Sequence, residues 1–260
     1  SVCPREGTIQ MFWSRKLLKQ NAKRVLAGSY WRVFLVWLLI TLGVSAVASA
    51  LSYVLILVPT IFVAFATINS PGAYVAGIIL IYLLLIVVMV IFNAFVSSPL
   101  SVGGIRYMME NRAGYPPIDT IFSTFRDKAQ YLNVAKNMLL LWLEIFGFSL
   151  LFIIPGIVRS YQLVYVPYLL AENPYLSYKR AKELSKAMSN GEKMEIFVLQ
   201  LSFIGWYLLG LLTCGLGLYF LMPYVYATMA ELYAASRAKA FALGITGEDE
   251  LSGFAVYPKR

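Results

Sequence analysis

Hydrophobic and polar positions follow one another along this chain in long blocks. Apolar runs occupy 33–58, 73–99, 137–154, 156–171, 196–213 and 216–235. Each is close to or above the ~17 residues that a helix needs to cross a bilayer, the fourth being the shortest. Polar stretches separate them at 14–28, 105–136 and 172–193, and a tail runs from 236 to 260. The pattern predicts an all-α, polytopic membrane protein over 1–260, with six transmembrane helices arranged as three hairpins.

Each hairpin is preceded by a polar stretch that is greasy along one side. In 14–28, Leu17, Leu18, Ala22, Val25 and Leu26 share one half of a 3.6-residue wheel, and Lys16, Lys19, Lys23 and Arg24 take the other. Ile118, Ile121, Phe122, Phe125, Ala129 and Leu132 recur at helical spacing in 118–135. A third stripe of Leu176, Leu184, Ala187 and Met188 lies in 173–190, where Asn173 is expected to cap a helix, Pro174 to fill its first position and Asn190-Gly191 to end it. The expectation is three interfacial helices, with 1–12 as a flexible extension. The second member of each hairpin holds a proline (Pro99, Pro167, Pro223), which makes the order a weak threefold repeat with three bent helices.

Composition agrees. Of 260 residues 60% are hydrophobic and 13% charged, against about 25% charged in a soluble protein, and the mean hydropathy is +0.70. The net charge of +9 would suit nucleic acid, but its placement decides otherwise. If all the polar stretches share one side, and Arg5 and Arg32 are counted with the first of them, that side holds every Lys and Arg of the 22 except Arg159, while 59–72 and 214–217 carry no formal charge. Cations gather on the cytoplasmic side of membrane proteins, so the expectation is a multi-pass protein of the cytoplasmic membrane with both termini in the cytosol, bound to anionic lipid and not to nucleic acid. An "ASA" at 48–50 resembles a cleavage site, but the apolar run continues to Val58, so it is read as part of an uncleaved first helix.

Two residues stand out inside the apolar runs. Glu144 lies near the middle of the third and Arg159 close to the start of the fourth. Charge at such depth is costly and faces the bundle or water, so both are candidate functional positions. With the turn placed at Pro155-Gly156 their depths differ by roughly 10 Å. A stretched direct pair, a water-mediated link, and a protonated Glu144 beside an outward-reaching arginine all stay open.

Two cysteines and no histidine leave no basis for a disulfide framework or a zinc site. Nucleophile-elbow, metalloprotease and phosphate-loop motifs are missing, so no catalytic residue, metal or cofactor is expected.

The carboxyl-terminal half, with "IIPGIVRSYQ" (153–162), "YLLAENPYLSYKRAKELSKAMSNGEK" (168–193) and "FVLQLSFIGWYLLGLLTCGLGLYFLMPYVYAT" (197–228), resembles the bacterial domain-of-unknown-function 975 family of integral membrane proteins. The family's pattern falls on Pro155, Gly156, Asn173, Pro174, Ser185, Gly191, Phe197, Ser202, Phe203, Gly205, Trp206, Pro223 and Tyr224, and its members tend to be basic at the position of Arg159. The group is also distantly similar to the membrane portion of glycerophosphodiester phosphodiesterases. Most of these positions are expected to serve folding; Ser202 and Gly205, for example, would let helices approach closely. The resemblance implies no activity. The expected role is a non-catalytic module that binds lipid or a membrane-protein partner; the alternatives are a transporter with a polar path at Glu144 and Arg159, and a lipid-modifying enzyme.

Overall fold

The computed structural model describes residues 13–67 and 70–258; the extension expected at 1–12 lies outside the described residues. It is all-helical, with no strand among the described residues. In chain order the helices are α1 (Arg15–Leu26), α2 (Tyr30–Ala66), α3 (Pro71–Phe92), α4 (Ser98–Asn111), α5 (Lys128–Leu151), α6 (Ile153–Gln162), α7 (Val166–Glu172), α8 (Tyr178–Met188), α9 (Lys193–Leu201), α10 (Ile204–Leu212) and α11 (Leu216–Ala242). A π-helical turn (Asn93–Ser97) joins α3 to α4, and a 3-10 segment (Ile118–Phe125) follows α4.

Four stretches are long and apolar enough to cross a membrane: Tyr30–Ala66, Pro71–Asn111, Lys128–Leu151 and Lys193–Leu212. The first two have 37 and 41 residues. At 1.5 Å per residue they are about 55 and 60 Å long, twice the ~30 Å of a hydrocarbon layer. The surplus is explained by where burial occurs. The buried residues of α2 are Val33, Val36, Trp37 and Ile40, and those of α4 run from Ser98 to Asn111, whereas α3 buries only Ile81. The molecule therefore has a polar end, where α1, α4, α7, α8 and α11 close around Tyr107, Tyr165, Leu169, Leu184 and Tyr233, and an apolar end whose leucines, isoleucines and phenylalanines face outward. Each fully buried leucine of that core contributes roughly 1.5–3 kcal/mol relative to exposure in water.

α2 packs on α3, α5 on α6 and α10 on α11. The helices are interrupted at two of the three expected prolines. Pro99 has no N–H to offer the Phe95 carbonyl, and the Tyr131 hydroxyl donates to that carbonyl instead at 2.8 Å. Near Pro167 the fourth expected span, 156–171, is divided into α6 and α7, of 10 and 7 residues. α11 runs unbroken through Pro223.

Four local expectations need correction. The tip of the α5/α6 hairpin is Phe152, in extended backbone, and not Pro155-Gly156. Pro155 sits in the first turn of α6, where no backbone N–H partner is required. Residues 118–135 form no single helix. Asp127 accepts from the N–H groups of Ala129 and Gln130 and so starts α5, leaving Ile118–Phe125 as the separate 3-10 piece. The third polar helix starts at Tyr178, capped by Ser177, because Asn173 uses its side chain in an Asx turn to Tyr175 N–H. The tail expected from 236 is helical to Ala242, after which residues 243–258 fold back as a strap that buries Leu251. α1 has the expected extent and is capped by Ser14, but its apolar face (Leu18, Ala22, Leu26) is consumed by packing on α11.

Candidate functional site

Phe152 lies eight residues after Glu144 and seven before Arg159, so the two candidate side chains stand level across the α5/α6 hairpin. They pair directly: Arg159 Nε donates to Glu144 Oε1 at 2.7 Å, and its Nη2 approaches the same oxygen. The side chains are 15% (Glu144) and 13% (Arg159) exposed. Gly156 makes the close packing feasible, since a Cβ there would collide with Ser149 of α5.

Two residues of α8 complete the cluster. Lys182 Nζ donates to Glu144 Oε2 at 3.1 Å, and the Tyr178 hydroxyl donates to the same oxygen at 2.5 Å. Burial first, and then the bond to Glu144, raise the Tyr178 pKa, which keeps the phenol protonated as a donor. Gln162 accepts from Arg159 Nη1 at 2.6 Å. One carboxylate thus neutralises one of two cations, and the other groups are satisfied within the cluster. The arrangement clamps α5, α6 and α8 together. The cations of α8 and α6, expected on opposite sides of a bilayer, meet on one carboxylate.

A second, larger network occupies the polar end. Glu231 of α11 holds Arg112 bidentately at 2.7 and 3.3 Å. Glu172 of α7, its side chain fully buried, accepts from Arg237 Nε at 2.8 Å, Tyr233 Oη at 2.7 Å and Gly253 N at 2.8 Å. Arg106 of α4 pairs with Glu110 and reaches the Ala171 carbonyl. The three proline-bearing helices α4, α7 and α11 are thereby stitched to one another at their polar ends. Glu192 joins Lys239 at 2.7 Å and Trp13 at 2.9 Å. Sequence reading missed Glu110, Glu172 and Glu192 because they follow the apolar runs and look like ordinary solvated loop charges, and Glu231 because it lies within a few residues of the end of its run, 216–235. Their recurrence after each repeat proline (Glu110, Glu172, Glu231) was the available signal.

The family-pattern residues divide by role. Ser185 and Ser189 repair the α6–α7 break: Ser185 Oγ accepts from Tyr165 N–H at 3.2 Å and donates to the Gln162 carbonyl at 2.9 Å. Asn173 donates to the Glu250 carbonyl at 2.9 Å and holds the strap, and the Pro174 carbonyl accepts from Asn133 at 2.7 Å. Gly191 takes left-handed backbone (φ 78°) between α8 and α9. The close approach expected at Ser202 and Gly205 is found elsewhere. Both are exposed and a Cβ on Gly205 would meet nothing, whereas Gly210 and Gly217 abut each other across α10 and α11. Trp206 and Tyr224 line a groove between those helices, and Pro223 is buried within α11.

Residues 117–240 match the family described as "Protein of unknown function (DUF975)". No curated protein and no solved structure matches the chain, and the similarity to the phosphodiesterase membrane portion finds no counterpart among the comparisons.

Proposed function

With residues 117–240 placed in that family, we propose that the protein is a non-catalytic protein of the cytoplasmic membrane that binds anionic lipid with its polar end in the cytosol. One observation carries the reading. The buried cations are paired with glutamates, but Lys16, Lys19, Lys23 and Arg24 of α1 have no acidic partner among the described residues. They belong to a helix whose apolar face is already occupied by α11. Each such cation near an anionic surface contributes about 1 kcal/mol to attraction. The Glu144 cluster, its groups satisfied by one another, supports a clamp on the hairpin and not a transport path.

The geometry also bears on the six expected crossings. Beyond the last buried residue of α2, Ile40, the helix continues for 26 residues to Ala66, about 39 Å and ample for a full crossing, and α3 returns beside it. The other two hairpins are shallower. Lys182 meets the α5/α6 hairpin eight residues from its tip, about 12 Å. Lys23 lies beside Tyr224, nine residues from Gly215 at the α10/α11 tip, about 13 Å. With those ammonium groups at the lipid headgroups, both tips stop near the middle of a ~30 Å layer. The reading is therefore one crossing hairpin, α2/α3, and two that enter the cytoplasmic leaflet and turn back.

The test of lipid binding is mass spectrometry of the full chain extracted with its surrounding lipid. Anionic phospholipid enriched over the bulk membrane is the expected result. A bound-lipid composition equal to the bulk would overturn the lipid-binding reading, and conversion of the bound lipid on incubation would overturn the non-catalytic one.

A further inference from the structure

Two cavities of similar size lie near the basic end, and they differ in charge. The one under the strap, about 490 Å³, is lined by Arg112 and Arg237, each already held by a glutamate. The other, about 450 Å³, is the groove between α10 and α11. Its walls are Trp206, Leu209, Phe220 and Tyr224, its floor is the Gly210–Gly217 contact, and Lys23 of α1 overhangs its polar mouth. Lys23 stands 5.8 Å from the Tyr224 ring centroid and forms no ion pair among the described residues. One turn earlier Lys19 sits 4.4 Å over the Phe203 ring, and its only hydrogen bond among the described residues is a long one, 3.4 Å, to the Ser202 carbonyl. Burial, followed by the charges of Lys23 and Arg15, lowers the Lys19 pKa, as expected where positive charge is uncompensated.

A greasy slot of this volume with cations at one end has the polarity of a single phospholipid. From Tyr224 to Gly217 the slot follows seven residues of α11, about 10 Å, which is the depth of the upper part of an acyl chain below its headgroup. We propose that this groove holds one anionic membrane phospholipid, its phosphate against Lys23 and Lys19 and one acyl chain laid along Leu209 and Phe220 over the paired glycines. The site rests on the lipid-binding reading above and makes it local: one groove on one helix pair, distinct from a diffuse collar.

Lys179 supplies the control. It is exposed and, among the described residues, without an acidic partner like Lys23, but it belongs to α8 and does not line the groove. The experiment is native mass spectrometry of the full chain titrated with phosphatidylglycerol or phosphatidylcholine, with thermal melting to show that each variant is folded. Wild type is expected to retain one phosphatidylglycerol in preference to phosphatidylcholine. Lys23→Gln should weaken that retention about fivefold or more, the equivalent of one cation near a lipid phosphate, and Lys179→Gln less than about twofold. Leu209→Trp, which fills the slot, should abolish it with both lysines intact. Equal losses in Lys23→Gln and Lys179→Gln, or full retention in Leu209→Trp, would remove the groove site and leave general lipid binding standing. A wild type without preference for phosphatidylglycerol would remove both.

Discussion

At Glu144 an arginine, a lysine and a phenol converge on two carboxylate oxygens, so the residues of the cluster are unequal in what their loss costs. Glu144→Gln would leave Arg159 and Lys182 side by side, largely out of water, with no counter-charge. Breaking a buried pair in this way costs 3–5 kcal/mol, and partial exposure here lowers the expectation to about 2–3 kcal/mol. Arg159→Gln leaves Glu144 with Lys182 and Tyr178 and should cost about 1 kcal/mol, with membrane insertion intact. Thermal melting in detergent is expected to rank Glu144→Gln well below Arg159→Gln; the reverse order would show that the arginine, and not the carboxylate, organises the cluster. Both residues were legible in the sequence because a charge within an apolar run is conspicuous. Their contact was obscured because Pro155-Gly156 suggested the wrong turn. Lys182 and Tyr178 were invisible as partners, since the polar face of an amphipathic helix gives no sign that it meets another helix.

Among the elements, the strap has the most conditional attachment. Residues 243–258 are held by Arg180 on Glu250 at 2.7 and 2.8 Å, Arg237 Nη2 on the Leu251 carbonyl at 2.6 Å, and Glu172 on Gly253 N–H. The Arg180 bond holds the Glu250 pKa below the ordinary carboxylate value against the opposing effect of burial. A lowered carboxylate pKa means that the folded state favours the charged form. Its stabilisation is complete above the ordinary glutamate pKa and is lost as the pH falls through the lowered one. Amide hydrogen exchange in 246–253, corrected for intrinsic rate, should therefore accelerate on acidification through that window. Glu250→Gln should exchange quickly at all pH values, and an unchanged pH response in that variant would place the sensitivity elsewhere. The strap itself could not be read from sequence, because it has no periodicity and, Glu250 apart, its anchors are backbone groups. α1, with its strong periodicity, was read nearly to the residue. The 118–135 segment was not, because a helical spacing of apolar side chains also fits a 3-10 piece followed by a capped helix.

For the whole molecule, the sequence revealed the alternation of apolar and basic blocks but not depth, since depth depends on which helices the basic segments pack against. Chain counting treats 156–171 and 216–235 as crossings. The contacts of Lys182 and Lys23 tie basic helices to within about 13 Å of two hairpin tips, roughly half a hydrocarbon layer. Cysteine labelling in a Cys3→Ser background separates the two topologies. Cys214, exposed beside the α10/α11 tip, is a natural probe; Ile154→Cys marks the α5/α6 tip, Ser70→Cys the α2/α3 tip and Lys179→Cys the exposed side of α8. A membrane-impermeant maleimide added to intact cells should react at residue 70 alone, and in inverted vesicles at residue 179. Positions 154 and 214 should stay unreactive from both sides, because a thiol in hydrocarbon neither ionises nor meets the reagent. If 154 and 214 react from outside together with 70, all three hairpins cross, and α8 and α1 are drawn deep into the membrane with their lysines. The cations of α1 that have no acidic partner among the described residues would then be buried at a cost of ~2.5–3.5 kcal/mol each near the bilayer centre, which is why the shallow arrangement is the expected one.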